Sequence, residues 1–445
     1  MTNQDLSYAA TAERVAAEAV AGVLADLGRA HRGVVVDSPP GAGKSALVVR
    51  AAADLAGAGE PVMVVAQTNG QVDDLVDRLA AAGEVPAVGR LSAHGYLPAP
   101  SVARHACVTV AQQVSDLAGC TIVVGTAAKW ATVAEGRWPW AVIDEAYQMR
   151  SDLLLRIAGR FDGALFVGDP GQLDPFSTIE IDRWTGLTWD PMQSAVAVLL
   201  RNNPGFPVRR LPVSWRLPPS AAPVVAEAFY PFSGFRAGTA AGQRQLQFVT
   251  RALGSGPLDE TVETAAASGW ALCEMPARHT IRTDGEAAAA CAALAERILQ
   301  RGAVSVSERA PAGERVTPGR IAIGTAHRDQ VQAIRSQLGP LSAAGVIVDT
   351  ANRLQGREFD VTIVLHPLSG RRDATAFHLE AGRLCVLTSR HRHACIVVAR
   401  AGIPELLDAH PSTEPVHLNV PAKFPDGWEA NQAVMAHLAN WRVRA

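Results

Sequence analysis

The sequence predicts an α/β protein built from two tandem domains with parallel sheets. Its 445 residues are too many for one ordinary core and suit two domains of about 200 residues each. In both halves, short β-branched runs alternate with alanine-rich helical stretches, the pattern of a parallel sheet wrapped by helices. A glycine-rich loop that joins the first such run to a helix supports the same fold class.

The first half begins with an amphipathic helix, predicted at about residues 9–27. The strands predicted after it are 33–37, 62–66, 121–125, 140–144 and 164–168. We place the domain junction between residues 212 and 213, which gives an N-terminal domain 1–212 and a C-terminal domain 213–445. Residues 84–120 are expected to form a short insertion in the N-terminal domain.

The second half repeats the alternation of strands and helices. The predicted strands are 245–249, 320–324, 346–349, 361–365 and 394–399. Helices are predicted at 326–338 and 379–390, and residues 301–318 are expected to form a polar loop. Asp426 and Glu429 have the spacing of a capping box before a late helix at 430–441.

Composition excludes some functional classes. No apolar run reaches the roughly 18 residues of a spanning helix, and the N-terminus lacks the order of a signal peptide, so we expect a cytoplasmic protein without a membrane partner. The net charge of −2 gives no global sign of a nucleic-acid partner. The six cysteines and twelve histidines show no metal-ligand spacing. Only Lys44, Lys129 and Lys423 are lysines, and Lys44 lies in the glycine-rich loop.

That loop has the features of a phosphate-binding loop. Its residues are Gly41, Ala42, Gly43, Lys44 and Ser45. Backbone N–H groups at a helix N-terminus favour anions, and small residues let them close around phosphate oxygens. The lysine is expected to bridge the β- and γ-phosphates and the serine hydroxyl to bind Mg²⁺. Ser38 stands where the full pattern has glycine, so the first position of the loop loses conformational freedom.

An acid pair, Asp144 and Glu145, closes the predicted strand 140–144. Adjacent side chains at a strand end point in different directions. Asp144 can therefore reach Mg²⁺ through water while Glu145 polarises the attacking water as a general base. Two acids after a strand are also common in solvated turns, and the pair gains weight from the phosphate loop upstream.

The order of these and later motifs resembles superfamily 1 helicases, most of all the branch of the up-frameshift RNA helicase. The resemblance runs from Ser38 to about Arg400 and begins with D-E-A-Y-Q at the acid pair. It implies two RecA-like domains with an ATP site between them. The segment VMVVAQTNGQVDDLVDRL is similar to a strand-contacting motif and implies nucleic-acid contacts at Thr68 and Asn69. The segment IVVGTAAKW implies further contacts at Gly125 and Thr126.

The later motifs of the resemblance place the remaining site residues. ALFVGDPGQLDPF implies that Gln172 senses the γ-phosphate, and LPVSWRLPP implies a γ-phosphate arginine at Arg216. RLCVLTSRHRH implies an arginine finger at Arg390. IAIGTAHRDQ and VDTANRLQGREFD imply nucleic-acid contacts at Thr325, Arg328 and Thr350, and nucleotide contacts at Gly356 and Glu358. Asn352, His391 and Arg392 depart from the family pattern, and no adenine-reading motif precedes the loop apart from a guess at Gln4 or Glu13.

Three functions remain open from the sequence. The first is a Mg²⁺-dependent ATPase that moves on, or unwinds, single-stranded DNA or RNA. The second is a P-loop ATPase switch acting with a protein partner, and the third is a nucleic-acid scaffold with a dead site. An accessory protein is compatible with the short insertion, because larger relatives carry a barrel there. Base stacking is a hypothesis for five rings that core packing explains equally: Trp130, Phe176, Trp184, Trp189 and Trp215.

Overall fold

The computed structural model describes residues 3–29, 32–175, 184, 190, 193–250, 254–409 and 426–445, with side chains from residue 7 onward. Within this part of the chain, eight parallel strands form the first sheet, in the order β4-β3-β5-β2-β6-β7-β1-β8. The strands are β1 Gly33–Asp37, β2 Val62–Ala66, β3 Val88–Leu91, β4 Val108–Ala111, β5 Ile122–Thr126, β6 Trp138–Asp144, β7 Phe161–Gly168 and β8 Val208–Arg210.

Helices connect and cover these strands. They are α1 Asn3–Leu27, α2 Lys44–Gly57, α3 Asn69–Ala82, α4 Pro100–Ala103, α5 Ala127–Trp130, α6 Ser151–Ile157 and α7 Ala195–Asn202. The central strand β2, with the sequence VMVVA, is buried at every position. A parallel sheet covered on both faces requires such continuous apolar runs, which is why this strand could be predicted from sequence.

The second sheet comprises six parallel strands from the described residues, in the order β16-β15-β17-β18-β12-β19. Its members are β12 Trp270–Met275, β15 Ile321–Thr325, β16 Ile347–Thr350, β17 Phe359–Leu365, β18 His391–Arg400 and β19 Arg442–Arg444. Two smaller pairings lie beside it: β9 Val213–Ser214 with β10 Arg236–Ala237, and an antiparallel set of β11 Gln245–Phe248, β13 Ala303–Val306 and β14 Glu314–Arg315.

The first helix of this half follows β9 in the chain. The helices are α8 Ala222–Phe229, α9 Pro257–Ser268, α10 Gly285–Gln300, α11 Arg328–Leu338, α12 Pro340–Ala343, α13 Ala351–Leu354, α14 Ala376–Leu379, α15 Ala381–Thr388, α16 Ile403–Asp408 and α17 Gly427–Leu438. Asp426 caps α17 by accepting a hydrogen bond from the Glu429 N–H, as its spacing predicts.

The predicted fold class, two tandem RecA-like α/β units with parallel sheets, is confirmed. The prediction of a polar loop at 301–318 is wrong, because this segment contains the hairpin β13–β14. Buried and half-buried residues alternate along β13, and both residues of β14 are exposed. The segment expected as an insertion, 84–120, supplies β3 and β4 to the first sheet. The domain junction proposed at 212/213 stays a prediction; it lies between β8 of the first sheet and β9. Over the described residues, no helix is both long and apolar enough to cross a bilayer.

Candidate functional site

The glycine-rich loop follows β1 and ends at the first turn of α2. Gly41 has φ 74° and Gly43, the N-cap of α2, has φ 91°, so both positions need the left-handed conformation that glycine adopts freely. Ser38 is not among the residues with positive φ, and its N–H donates to the Gly168 carbonyl at 2.8 Å. The serine that replaces the first glycine of the motif is therefore accommodated without backbone strain.

The loop also holds the segment that contains Arg216. A Cβ at Gly41 would collide with the Arg216 side chain and backbone, so the glycine permits this close approach. The Trp215 N–H donates to the Gly41 carbonyl at 2.9 Å, and the Ser214 hydroxyl donates to the Pro40 carbonyl at 2.6 Å. In this conformation the segment that carries Arg216 is therefore attached to the phosphate loop.

Lys44 and the acid pair meet at the carboxyl edge of the first sheet. The Lys44 ammonium forms an ion pair with Glu145. Glu145 has φ 51° and is the only non-glycine residue with positive φ among those described, a conformation that marks a constrained turn directly after β6. The Gln148 amide donates to Glu145 Oε2 at 2.7 Å, and Asp144 Oδ1 accepts the Glu145 N–H at 2.9 Å.

A third buried acid, Asp169, follows β7 and was missed by sequence reasoning. It accepts hydrogen bonds from Gln172, from the Tyr230 hydroxyl and from the Gly171 N–H at 3.1 Å. Its position directly after a buried strand is the same signal that identified Asp144. Burial raises the pKa of both aspartates to about 6, although the charge of Lys44 opposes this shift.

The second half of the chain brings arginines to the same place. Arg390 precedes β18 and is 1% exposed; its Nε donates to the Val386 carbonyl at 3.0 Å and its Nη2 to the Ser389 hydroxyl at 2.9 Å. Burial and the nearby charge of Arg390 lower the pKa of Arg216 to about 10. Both arginines are buried, and together they form a cationic pair that suits an anionic ligand.

A series of ion pairs connects Arg216 to Glu358 and, through Arg392, to Glu308. Arg216 Nε lies 3.3 Å from Glu358 Oε2, and Arg392 Nη1 lies 3.1 Å from Glu358 Oε1. Arg392 also contacts Glu308 at 3.1 Å, and Arg244 contacts Glu308 at 2.7 Å. Burial disfavours the charge of Glu308, but the hydrogen bonds and charges of Arg244 and Arg392 outweigh it and hold its pKa at about 2. Glu308 and Arg244 lie far apart in sequence, and no local pattern marked them.

Residues from both halves line one cleft of about 640 Å³. Most of the predicted nucleotide residues line it together: Gly41, Gly43, Lys44, Ser45, Glu145, Gln172, Arg216, Gly356, Glu358 and Arg390. Ala42 and Asp144 are buried behind this lining. Further lining side chains that the sequence did not reveal are Arg78, Asp169, Arg309, Arg357 and Arg392. The volume falls within the roughly 300–1,000 Å³ typical of small-molecule sites.

The donor set at the acid side fits Mg²⁺. The Ser45 hydroxyl lines the cleft, and the Asp144 carboxylate is close enough to Lys44 for their charges to interact. Magnesium commonly binds one or two protein oxygens together with waters and substrate phosphates. No group of three or more histidine, cysteine, aspartate or glutamate side chains that could hold a metal ion occurs among the described residues.

The residues of the first half that were predicted to contact nucleic acid form hydrogen bonds within the protein. Thr68 caps α3 by accepting the Gln71 N–H at 3.3 Å, and Thr126 caps α5 by accepting the Lys129 N–H at 3.1 Å. The side-chain Oδ1 of Asn69 accepts a hydrogen bond from Arg90 Nη2 at 3.0 Å. These contacts occupy one side of each group, and both threonines remain partly exposed at the carboxyl edge of the sheet.

Gly125 and Trp130 belong to the core. A Cβ at Gly125 would press on the Trp130 indole, which is 0% exposed and donates from Nε1 to the Val64 carbonyl at 3.0 Å. The hypothesis that Trp130 stacks on a base is therefore wrong. Trp215 lines the nucleotide cleft and not a surface for a nucleic-acid strand. Phe176 and Trp189 lie outside the described residues.

The residues of the second half that were predicted to contact nucleic acid differ in their exposure. Thr325 ends β15 and is 2% exposed, so its hydroxyl is not available at the surface in this conformation. Arg328 and Thr350 line a cavity of about 150 Å³ at the carboxyl ends of β15 and β16. Arg335 and Arg353 line the same cavity, which makes it strongly basic around Asp349.

Comparisons with known proteins found one family match and several similar solved structures. Residues 207–402 match the family described as an AAA domain, a match that covers less than half of the chain. No curated protein matches the sequence. Solved structures found as similar include the PRRSV helicase (15% identity over 90% of this chain and 58% of that one, TM-score 0.43).

Two further similar structures are those of Arterivirus nonstructural protein 10, a helicase. One covers 88% of this chain and 63% of that one at 15% identity, with a TM-score of 0.43. The other, a complex with DNA, covers 88% and 64% at 14% identity, with a TM-score of 0.43. The chain therefore spans about three-fifths of the length of these proteins. At this identity and TM-score, none of them assigns an activity to it.

Proposed function

We propose that the chain is a nucleoside triphosphatase of the superfamily 1 helicase type, which hydrolyses ATP with Mg²⁺ and couples hydrolysis to movement on single-stranded DNA or RNA. The observation that carries the proposal is the cleft in which Lys44 and Glu145 from the first sheet face Arg390 from the second. This arrangement places a phosphate loop, a general base and a cationic group around one volume, as phosphoryl transfer requires.

The phosphates bind where Lys44 now pairs with Glu145. Burial disfavours the charged lysine, but Glu145, Asp144 and Asp169 raise its pKa, so Lys44 is cationic and ready to bind an anion. When the phosphates take over the ammonium group, the Glu145 carboxylate is released from it. Glu145 then accepts a proton from the attacking water, while Gln148 and the constrained backbone hold its orientation.

The arginines stabilise the charge that develops on the transferred phosphoryl group. Arg216 exchanges Glu358 for phosphate oxygens, and Glu358 stays paired because Arg392 holds its other oxygen. Arg390 approaches from the second sheet, so its distance from the γ-phosphate depends on how the two halves are arranged. The Gln355 amide donates to Gln172 Oε1 at 2.9 Å, a direct bond through which the nucleotide sensor can communicate with the second half.

Nucleic acid is assigned to the carboxyl edges of the two sheets. In the first sheet Thr68 follows β2 and Thr126 ends β5. Strand β2 lies between β5 and β6, and β6 ends at the acid pair of the nucleotide site. In the second sheet the basic cavity of Arg328, Arg335 and Arg353 suits backbone phosphates, which arginines bind without reading the bases. The family branch of the up-frameshift helicase and the role of Thr325 belong to this proposal and rest on the sequence motifs.

The proposal is tested by ATP hydrolysis with and without single-stranded DNA and RNA, together with titration of a labelled oligonucleotide. The variant Arg328→Ala/Arg353→Ala is expected to weaken oligonucleotide binding and to reduce the dependence of log affinity on log salt by roughly 1.4, about 0.7 for each lost contact. Arg14→Ala/Arg137→Ala removes the same charge from two exposed arginines outside the cavity and serves as the control.

Two outcomes would redirect the proposal. If ATP is hydrolysed but neither DNA nor RNA binds or stimulates turnover, the alternative of an ATPase switch acting with a protein partner replaces the motor. If no nucleotide is hydrolysed under any of these conditions, the proposed activity is wrong.

A further inference from the structure

The hairpin β13–β14 brings an arginine to the nucleotide cleft from outside the two parallel sheets. A turn over residues 307–310 follows β13. The Ser307 N–H donates to the Ala310 carbonyl at 3.2 Å, and the Ala310 N–H donates to the Ser307 carbonyl at 3.1 Å. These reciprocal bonds fix the backbone of the turn. Glu308 and Arg309 are its two central residues, and Arg309 lines the cleft.

Glu308 anchors the turn to the segment that holds the phosphate loop. It pairs with Arg392 at 3.1 Å and with Arg244 at 2.7 Å. Arg244 also donates to the Trp215 carbonyl at 2.7 Å and to the Arg216 carbonyl. The backbone of the turn is therefore fixed relative to Arg216, although the turn belongs to an antiparallel hairpin.

The Arg309 guanidinium has no ion-pair partner among the residues that the structure describes, and its side chain is exposed. The two glutamates that line the cleft pair with other cations. Glu145 pairs with Lys44, and Glu358 pairs with Arg216. Because no carboxylate neutralises it, the guanidinium of Arg309 favours an anion in the cleft.

The two other exposed arginines of the described lining differ from Arg309. Arg78 pairs with Asp74 at 2.7 Å, and the guanidinium of Arg357 lies over the Phe359 ring, 5.2 Å from its centroid. The buried arginines of the cleft are held in place before a ligand binds, which suits a charge that develops during reaction. Arg309 is ordered only by a ligand, which suits a group that is already charged when it binds.

We propose that Arg309 binds phosphate oxygens of the nucleoside triphosphate and contributes to its affinity, as a binding residue supplied by the β13–β14 hairpin. The inference rests on the proposed function and adds a contact to it. Lys44 holds the phosphates from the first sheet, and Arg309 holds them from the second half. A guanidinium can donate two hydrogen bonds to one phosphate group, which makes arginine well suited to this contact.

The experiment measures KM and kcat for ATP, and competitive inhibition by inorganic tripolyphosphate, at fixed Mg²⁺. Arg309→Ala is expected to raise KM and the inhibition constant of tripolyphosphate by the same factor, about tenfold, because one charged hydrogen-bonding group is lost. It should leave kcat within about threefold of wild type, as for a contact made equally before and during reaction. Arg309→Lys keeps the charge but not the paired donors, so its values should lie between those of wild type and Arg309→Ala.

The matched control is Arg315→Ala. Arg315 lies on β14 of the same hairpin and is exposed, but it is outside the lining of the cleft, so this variant should retain wild-type values. Equal inhibition by tripolyphosphate in wild type and Arg309→Ala overturns the inference and leaves the proposed hydrolysis intact. A loss of affinity for ATP alone also overturns it, because Arg309 then contacts the ribose or the base. A wild-type protein that neither binds nor hydrolyses ATP refutes the proposed function itself.

Discussion

The two sides of the cleft have opposite electrostatic character. On the side of the first sheet, the carboxylates of Asp144 and Asp169 surround one lysine, and burial raises their pKa values to about 6. On the side of the second half, arginines surround the carboxylates, and the pKa of Glu308 falls to about 2. A nucleotide with its magnesium ion has the complementary pattern, because the metal suits the acids and the phosphate oxygens suit the arginines.

The difference also concerns geometry. The acids of the first sheet lie at the carboxyl ends of β6 and β7, beside the loop that follows β1. Glu358 and Arg390 lie directly before β17 and β18, at the amino edge of the second sheet. The carboxyl edge of the second sheet remains available for the basic cavity. The two sheets thus use opposite edges for the nucleotide, and the site is complete only when both contribute.

The largest effect is expected from the side of the first sheet. Lys44→Ala removes the only lysine that lines the cleft among the described residues. It should abolish both nucleotide binding and hydrolysis, because the phosphates lose their cation at the helix N-terminus. Lys129→Ala, at a half-buried lysine outside the cleft, is the matched control and should retain both activities. Binding measured by isothermal titration and turnover measured by phosphate release check this. Normal turnover in Lys44→Ala would contradict the site assignment.

The arginine side is expected to affect turnover more than binding. Arg390→Ala should lower kcat by a factor of about 10³ to 10⁵, as reported for arginines that stabilise this transition state. Nucleotide affinity should stay within a few-fold of wild type, since the loop and Lys44 are unchanged. Arg390→Lys keeps a charge at this buried position and separates a catalytic loss from misfolding, which is followed by thermal unfolding. A kcat within tenfold of wild type in both variants would exclude Arg390 from the reaction.

A smaller effect is expected on stability, through Glu308. Its side chain is 28% exposed and its pKa is lowered from 4.5 to about 2, so ionised Glu308 stabilises the fold above about pH 4.5, and this contribution is lost as pH falls toward 2. Glu308→Gln should therefore reduce the free energy of unfolding by about 3 kcal/mol at pH 7 and by less at pH 3.5. Denaturant unfolding at both pH values measures this difference.

The control for Glu308 lies on the same hairpin. Glu314 is 60% exposed and pairs with Arg320, so Glu314→Gln should change the free energy of unfolding by well under about 1 kcal/mol at either pH. A loss in Glu308→Gln that is equal at pH 7 and pH 3.5 would show that packing, and not charge, accounts for the effect.

Sequence reasoning located what is encoded locally. Lys44, Asp144 and Glu145 were predicted because a strand end and a glycine-rich loop are readable within a few residues. Most predicted strands also correspond to observed ones, since buried parallel strands are continuous apolar runs. The strand β12 and the short edge strand β19 were missed. The exposed ends of β19 carry arginines, and the signal of Gly269, which ends α9 directly before β12, was overlooked.

What sequence reasoning could not give depends on contacts between distant residues. The link from Glu308 through Arg392 and Glu358 to Arg216 joins four separate segments, and each residue alone resembles a surface charge. The close packing of Gly41 on Arg216 is likewise a property of the assembled fold. Thr68 and Thr126 match the strand-contacting motifs, yet the same residues are favoured as helix caps, and only the structure reveals that bonding.

The most direct test of a shared site is a double-mutant cycle across the cleft. Single-turnover hydrolysis is measured for wild type, Glu145→Gln, Arg390→Ala and the double variant, with nucleotide saturating. Because both residues act on one transition state, the double variant should lose little more than the more damaging single change, as residues that work as a unit are strongly non-additive. Losses that simply multiply in the double variant would mean that Glu145 and Arg390 act independently, which contradicts a single site formed by both halves.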